Sequence, residues 1–202
     1  GSAVGQQARK FQRPDVRRAF DRALALGAKY NLVAVGYVIA GAPDQKAAHS
    51  LEDLLYLAAR RVLVGVSIYY PVPGTPDFHR CIDLGVLPEK TTLMRSSTFP
   101  VDQGTTREEA VTILRLARIV NFMKSILDQG QAIPTAARNP VAAVGDQIDR
   151  RAVGRHLLAR FLDDGIIRGV TASGRVYDHR VSTRLTRMFL EQLKTRGLRG
   201  TL

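Results

Sequence analysis

The chain has a single cysteine, Cys81, and no tryptophan. One thiol excludes an intramolecular disulfide, and it excludes a zinc or iron–sulfur centre held by several thiolates of this chain. No apolar run approaches the roughly 20 residues that cross a bilayer as a helix. The opening residues Gly1-Ser2-Ala3-Val4-Gly5-Gln6 lack the basic-then-apolar order of a secretory signal. The expected location is therefore the cytoplasm, away from membranes. Histidine is sparse, and His49, His79, His156 and His179 offer no pair at metal-ligand spacing. Acidic residues are the minority, 18 against 30 lysines and arginines, which leaves a formal charge of +12. No internal repeat and no low-complexity tract is present.

What remains is an ordinary globular composition, 45% hydrophobic and 24% charged over 202 residues. The basic excess is densest in residues 141–202, with 12 basic and 6 acidic side chains. Charge of this kind supports contact with nucleic acid or an acidic protein partner, although a solvated arginine face is its usual outcome.

Two apolar runs organise the first half. Leu32 to Ala40 and Val62 to Tyr70 are rich in β-branched residues and too short for spans, so they read as buried strands. Each ends in a Gly/Pro loop, Gly41-Ala42-Pro43-Asp44-Gln45 and Pro71-Val72-Pro73-Gly74-Thr75. A first helix starts at Pro14-Asp15 and stops at Gly27. A second lies between the strands, with Ser50 as its N-cap. Helix and strand alternating in this way predict parallel strands with crossover helices, and parallel strands need cover on both faces and further neighbours. A short helix over Phe78 to Leu84 comes next, then an irregular stretch from Pro88 to Gly104. Thr105 or Thr106 caps a helix that runs to about Leu127. On it Val111, Leu114, Ile119, Phe122 and Ile126 form most of a core face, and Arg115, Arg118 and Lys124 are solvated. Residues 129–149 read as a linker. The tail reads as helix, β-hairpin (Ile166 to Val170 with Arg175 to Tyr177) and a last helix over Thr183 to Thr195.

The loops Ile39-Ala40-Gly41-Ala42-Pro43-Asp44-Gln45 and Tyr70-Pro71-Val72-Pro73-Gly74-Thr75-Pro76-Asp77-Phe78 together resemble the fifth and sixth βα loops of a radical SAM core, notably of members associated with cobalamin-binding domains. The resemblance covers roughly residues 1–80. It implies an α/β fold: a partial, incomplete parallel βα barrel over residues 1–98, a helical extension and linker over 99–140, and a helix–hairpin–helix region over 141–202. It implies S-adenosylmethionine as cofactor. Ile39 and the backbone around Gly41 and Pro43 would then pack on or hydrogen-bond the adenine, with backbone near Tyr70 and Pro71 beside it. Ser2 would reach the methionine or ribose part, though Gly1-Ser2 is equally readable as a cloning remnant. Asp44 or Gln45 would stand at the family's acidic position.

The resemblance is incomplete at one place. The family holds its four-iron–four-sulfur cluster on a Cys-x-x-x-Cys-x-x-Cys loop, which this chain lacks. Cys81 reads instead as a small buried hydrophobe. No catalytic residue and no metal ligand is therefore assigned here. The expected partner is the missing N-terminal half, or another chain, covering the open sheet edge beside Leu32 to Ala40. The competing expectation is a stand-alone basic module that contacts nucleic acid or an acidic partner.

Overall fold

A computed structural model describes residues 16–95, 100–101, 104–135 and 149–197. Helix α1, Val16–Lys29, turns Phe20 and Leu24 to the core. It does not stop at Gly27. That glycine lies inside the helix, and the Leu32 N–H returns to its carbonyl at 2.9 Å. A helical glycine costs only about 1 kcal/mol, too little to stop the helix. The order continues β1 (Val35–Ala40), α2 (Ala47–Ala58), β2 (Leu63–Ile68), α3 (Pro76–Asp83), a 3₁₀ turn (Thr91–Arg95), α4 (Arg107–Leu127), α5 (Arg150–Asp164), β3 (Arg168–Val170), β4 (Val176–Asp178) and α6 (Thr183–Thr195). The protein is thus mixed α/β, with a two-stranded parallel sheet and a separate antiparallel hairpin. No helix among the described residues is long and apolar enough to cross a membrane.

Strands β1 and β2 pair in parallel from Val35 with Leu63 to Ala40 with Ile68. Their side chains alternate between the two faces. Gly36, Val38, Ala40, Val64 and Ile68 are buried, whereas Val35, Tyr37, Leu63 and Ser67 are exposed. The expectation of strands buried on both faces is corrected here. Among the described residues only one face is covered, by α2 and α4.

Helix α2 begins at Ala47, with Lys46 in extended conformation before it and no side-chain cap. Ser50 therefore caps nothing. It sits one turn inside, fully buried, because Ala47 and Leu51 must reach the core together. Helix α4 starts where its residues indicate: Thr106 accepts from Glu109 N–H while the Glu109 carboxylate accepts from Thr106 N–H. Its buried stripe is Ala110, Ile113, Leu116, Ala117, Val120, Met123 and Ile126, one position off the expected Val111, Leu114, Ile119 and Phe122, which are half-buried.

Lys124 overturns its solvated assignment. It is 5% exposed, and its ammonium donates to the carbonyls of Leu57, Arg60 and Val62 at 2.8, 2.7 and 2.7 Å. The acceptors are the last carbonyls of α2 and its exit to β2, the orphan groups that every helix C-terminus leaves. Helix α5 ends at Gly165 with φ 74°, the left-handed turn that favours glycine. Helix α6 is capped by Ser182 and packs on α2 and α4. One apolar cluster takes Val38 and Leu54, Ile113 and Met123, and Phe161 and Phe189 alike, so residues from all three expected segments share a core.

Candidate functional site

The parallel register brings the two Gly/Pro loops out of the same end of the sheet, side by side. Sheets of this kind place their ligands at the carboxyl ends of the strands. The first loop is held by Gln45, which is 1% exposed. Its side-chain carbonyl accepts from Ala42 N–H at 3.1 Å, and its amide donates to Ile39 O at 2.9 Å. Thr105, just before α4, donates its hydroxyl to Gln45 O at 2.9 Å. Gly41 has φ +78°, and a Cβ there would stand 3.0 Å from Pro100 Cβ, so only glycine fits both the turn and the overlying residue. Asp44 also has positive φ, 66°, and this conformation is held from outside. Arg80 of α3 donates to both Asp44 carboxylate oxygens, at 2.6 and 2.7 Å. The Asp44–Arg80 pair therefore ties the first loop to the helix that comes after the second.

The second loop leaves β2 with Tyr69 N–H bonded to Ala40 O at 2.8 Å. The Tyr69 hydroxyl donates to Asp77 at 2.8 Å, and burial together with this carboxylate raises the phenol pKa above its ordinary value. Thr75 caps α3. Tyr70 is half-buried, with the Arg95 guanidinium 5.6 Å from its ring centre, and Pro71 is buried.

Ile39, Gly41, Pro43, Asp44, Tyr70 and Pro71 therefore all lie at this one end. Ile39 and Tyr70 keep partial exposure, Gly41 and Pro43 are buried, and Asp44 is exposed but engaged by Arg80. Ser2 lies outside the described residues. Cys81 is 1% exposed on α3, its sulfur 4.0 Å from Val101 O, and no group of three His, Cys, Asp or Glu side chains among the described residues is placed to hold a metal.

The two edges of the sheet differ. Leu63 N–H and Tyr69 N–H bond to the carbonyls of Ala34 and Ala40, so the intervening Val64 turns its backbone away from β1. Asn121 of α4 meets it there, accepting from Val64 N–H at 2.8 Å and donating to Val64 O at 2.9 Å. At Val64 this side-chain amide stands in for a neighbouring strand. Among the described residues nothing comparable meets the outer edge of β1. Beside it the bare face holds Val35 at 49% and Tyr37 at 62% exposure, and the Tyr37 ring lies over Gly65, where a Cβ would stand 2.7 Å from it.

A cavity of about 250 Å³ lies at the opposite end of the strands, against Leu32, Val33 and Leu63. Its polar groups are already engaged: Lys124 on the three carbonyls, Arg61 with Asp128 at 2.7 Å. The loop end is therefore the better candidate. The basic tail is likewise tied to the body. Arg180 pairs with Glu108, Arg184 with Glu109 and Arg196 with Glu52, while Arg168 is neutralised within the tail by Asp164 and Asp178.

Reading the sequence missed Gln45 as the loop's lock, Asn121 as the edge plug and Lys124 as the helix cap. Asn121 and Lys124 shared one legible signal, a polar residue set in the apolar register of a long helix. Comparison with protein-family models, with curated proteins and with solved structures returned no match.

Proposed function

We propose that this chain is the C-terminal βα part of a radical SAM-type barrel, and that its two Gly/Pro loops form the adenosine side of an S-adenosylmethionine site. The observation that carries the reading is the asymmetry of the sheet. Asn121 takes up both backbone groups of Val64 on the outer edge of β2, as befits a last strand, while among the described residues the β1 edge and the Tyr37 face are bare, as befits strands that await neighbours. The missing strands would come from an N-terminal half of the same protein or from another chain. They would pair with β1 and turn the Val35–Tyr37–Leu63 face into a barrel interior.

Ile39 and Tyr70 offer apolar surface at the strand ends, and Gly41 lets the backbone turn without a side chain in the way. That suits an adenine, which needs a flat apolar wall and a few peptide groups. The cluster is another matter. The lone Cys81 is buried in α3 and cannot hold iron and sulfide, so those ligands must come from outside this chain. S-adenosylmethionine supplies radical chemistry only beside such a cluster. The residues present here bind and orient, and no catalytic step is assigned to them.

The test is a titration of the chain with S-adenosylmethionine, read by amide chemical shifts. Half a site predicts weak binding, with Kd on the order of 1 mM, and shifts confined to Ile39, Gly41 and Tyr70 and their neighbours. Saturating nucleoside with no shift at these amides would refute the assignment.

A further inference from the structure

The hairpin ladder runs on past β3 and β4. His179 N–H bonds to Ile167 O and Thr171 N–H to Arg175 O, both at 2.9 Å. Side chains alternate across such a ladder, so Ile167, Gly169, Arg175, Tyr177 and His179 share one face. Arg168 and Asp178 fall on the other face, where they pair with each other. At the root of the first face Ile167 is buried and shares an apolar groove with Ile119 and Phe122 of α4. Further out the face carries rings. A Cβ on Gly169 would stand 2.6 Å from the Tyr177 ring and 2.7 Å from His179 Nε2, so the absence of a side chain is what lets both rings settle there. The rings pack edge to face, 4.8 Å between centres, and Tyr177 keeps 41% exposure.

Three arginines border these rings. Arg175 precedes Tyr177 by two residues on the same face and is exposed. Arg118 of α4 is exposed and lies beside Ile167 and Arg168 at the hairpin root. Arg115 is half-buried one turn earlier on α4, near enough to act on both rings: burial and then the Arg115 charge lower the His179 pKa, which leaves the imidazole neutral at pH 7. None of the three arginines has an acidic partner among the described residues. The carboxylates of this region are already taken, Asp164 and Asp178 by Arg168 and Glu108 by Arg180. Cationic charge without counter-charge thus surrounds an exposed aromatic ring.

We propose that this face of the hairpin, with α4 beside it, binds single-stranded nucleic acid, a base stacked on Tyr177 and phosphates on Arg115, Arg118 and Arg175. Every base offers a π-face to such a ring, and guanidinium groups bond phosphate oxygens in pairs. A duplex keeps its bases stacked inside, and an acidic peptide would use the arginines but leave the ring idle. From Arg175 to His179 the row spans about 13 Å at roughly 3.3 Å per residue, so the contact covers only a few nucleotides. The surface shares no residue with the loops at the strand ends, and its failure would leave the reading of those loops untouched.

The test titrates the full chain into labelled oligouridylate and oligothymidylate of about ten nucleotides, a duplex of the same length and polyglutamate, read by fluorescence anisotropy and by amide shifts. The single strands should bind tightest and shift Gly169 and His179, and the tighter of the two tells RNA from DNA as the source. Three phosphate contacts predict roughly a twentyfold loss of affinity between about 50 and 200 mM salt. Arg118→Gln with Arg175→Gln, both at exposed positions, should flatten that to about threefold. Tyr177→Ala should weaken binding about tenfold with the salt dependence kept, and Tyr177→Phe should restore it. If Tyr177→Ala does not fold, the arginine pair decides. A duplex or polyglutamate bound as tightly as the single strands, a salt dependence unchanged in the arginine variant, a folded Tyr177→Ala without effect, or no binding at the lower salt would overturn the proposal.

Discussion

Replacing Lys124 by methionine keeps an unbranched side chain one atom shorter and removes its three donors. The carbonyls of Leu57, Arg60 and Val62 then lose their partner, and those of Leu57 and Val62 lie in buried surroundings. Each buried carbonyl left without its donor costs about 1–3 kcal/mol. The apolar thioether recovers part of that, because burial opposes the ammonium and depresses its pKa from 10.5 to about 8, with Asp128 acting weakly the other way. A net loss of about 3 kcal/mol at pH 7 is expected, which lowers the thermal midpoint by about 6–12 °C for a chain of this size.

The pH dependence gives an independent handle. The folded pKa lies below the unfolded one, so between about pH 8 and 10.5 the unfolded chain holds more protons and stability rises with pH. From pH 7 to pH 9 the wild type should gain about 1 kcal/mol that the methionine variant lacks. The assay is urea unfolding by circular dichroism at both pH values. A variant within 1 kcal/mol or so of wild type at pH 7 would show that Lys124 contributes little more than packing. A gap that narrows at pH 9 would refute the sign of the shift.

The same packing sets three further outcomes. Asn121→Ala should cost about 1–3 kcal/mol through the two orphaned groups of Val64; it should speed hydrogen exchange at the Val64 amide, and unchanged protection there would mean that the β2 edge is closed by something else. Gly36→Ala would place a Cβ 2.8 Å from Leu57 and 3.1 Å from Phe20, an overpacking worth about 1–3 kcal/mol and visible in the denaturation midpoint. Cys81, at 1% exposure, should react with a thiol reagent only on unfolding; rapid labelling of the native chain would show that the Val101 segment does not cover it.

The elements were legible where punctuation and periodicity agreed. The Thr106 capping box, the Gly165 stop and the Thr183–Thr195 helix stand where the residues announced them. The two strands were legible too, but not their single covered face, because a continuous apolar run has no alternation to reveal one bare side. Ser50 misled because a serine inside a helix looks like a cap when the preceding alanines carry no start signal. Lys124 misled because the charge of a lysine says nothing about three carbonyls gathered elsewhere in the chain. The loop residues of the candidate site were found through their resemblance to a known pair of loops, whereas the lock supplied by Gln45 and the Asp44–Arg80 tie needed the third dimension.

The most direct measurement starts from the coding sequence upstream of Gly1. Expressed together with this chain and reconstituted anaerobically with iron and sulfide, it should supply a Cys-x-x-x-Cys-x-x-Cys loop, develop the visible absorption of a four-iron–four-sulfur cluster and cleave S-adenosylmethionine. An upstream sequence without that cysteine triplet, or a reconstituted protein that neither takes up iron nor cleaves the nucleoside, would contradict the assignment of this chain to a radical SAM-type barrel.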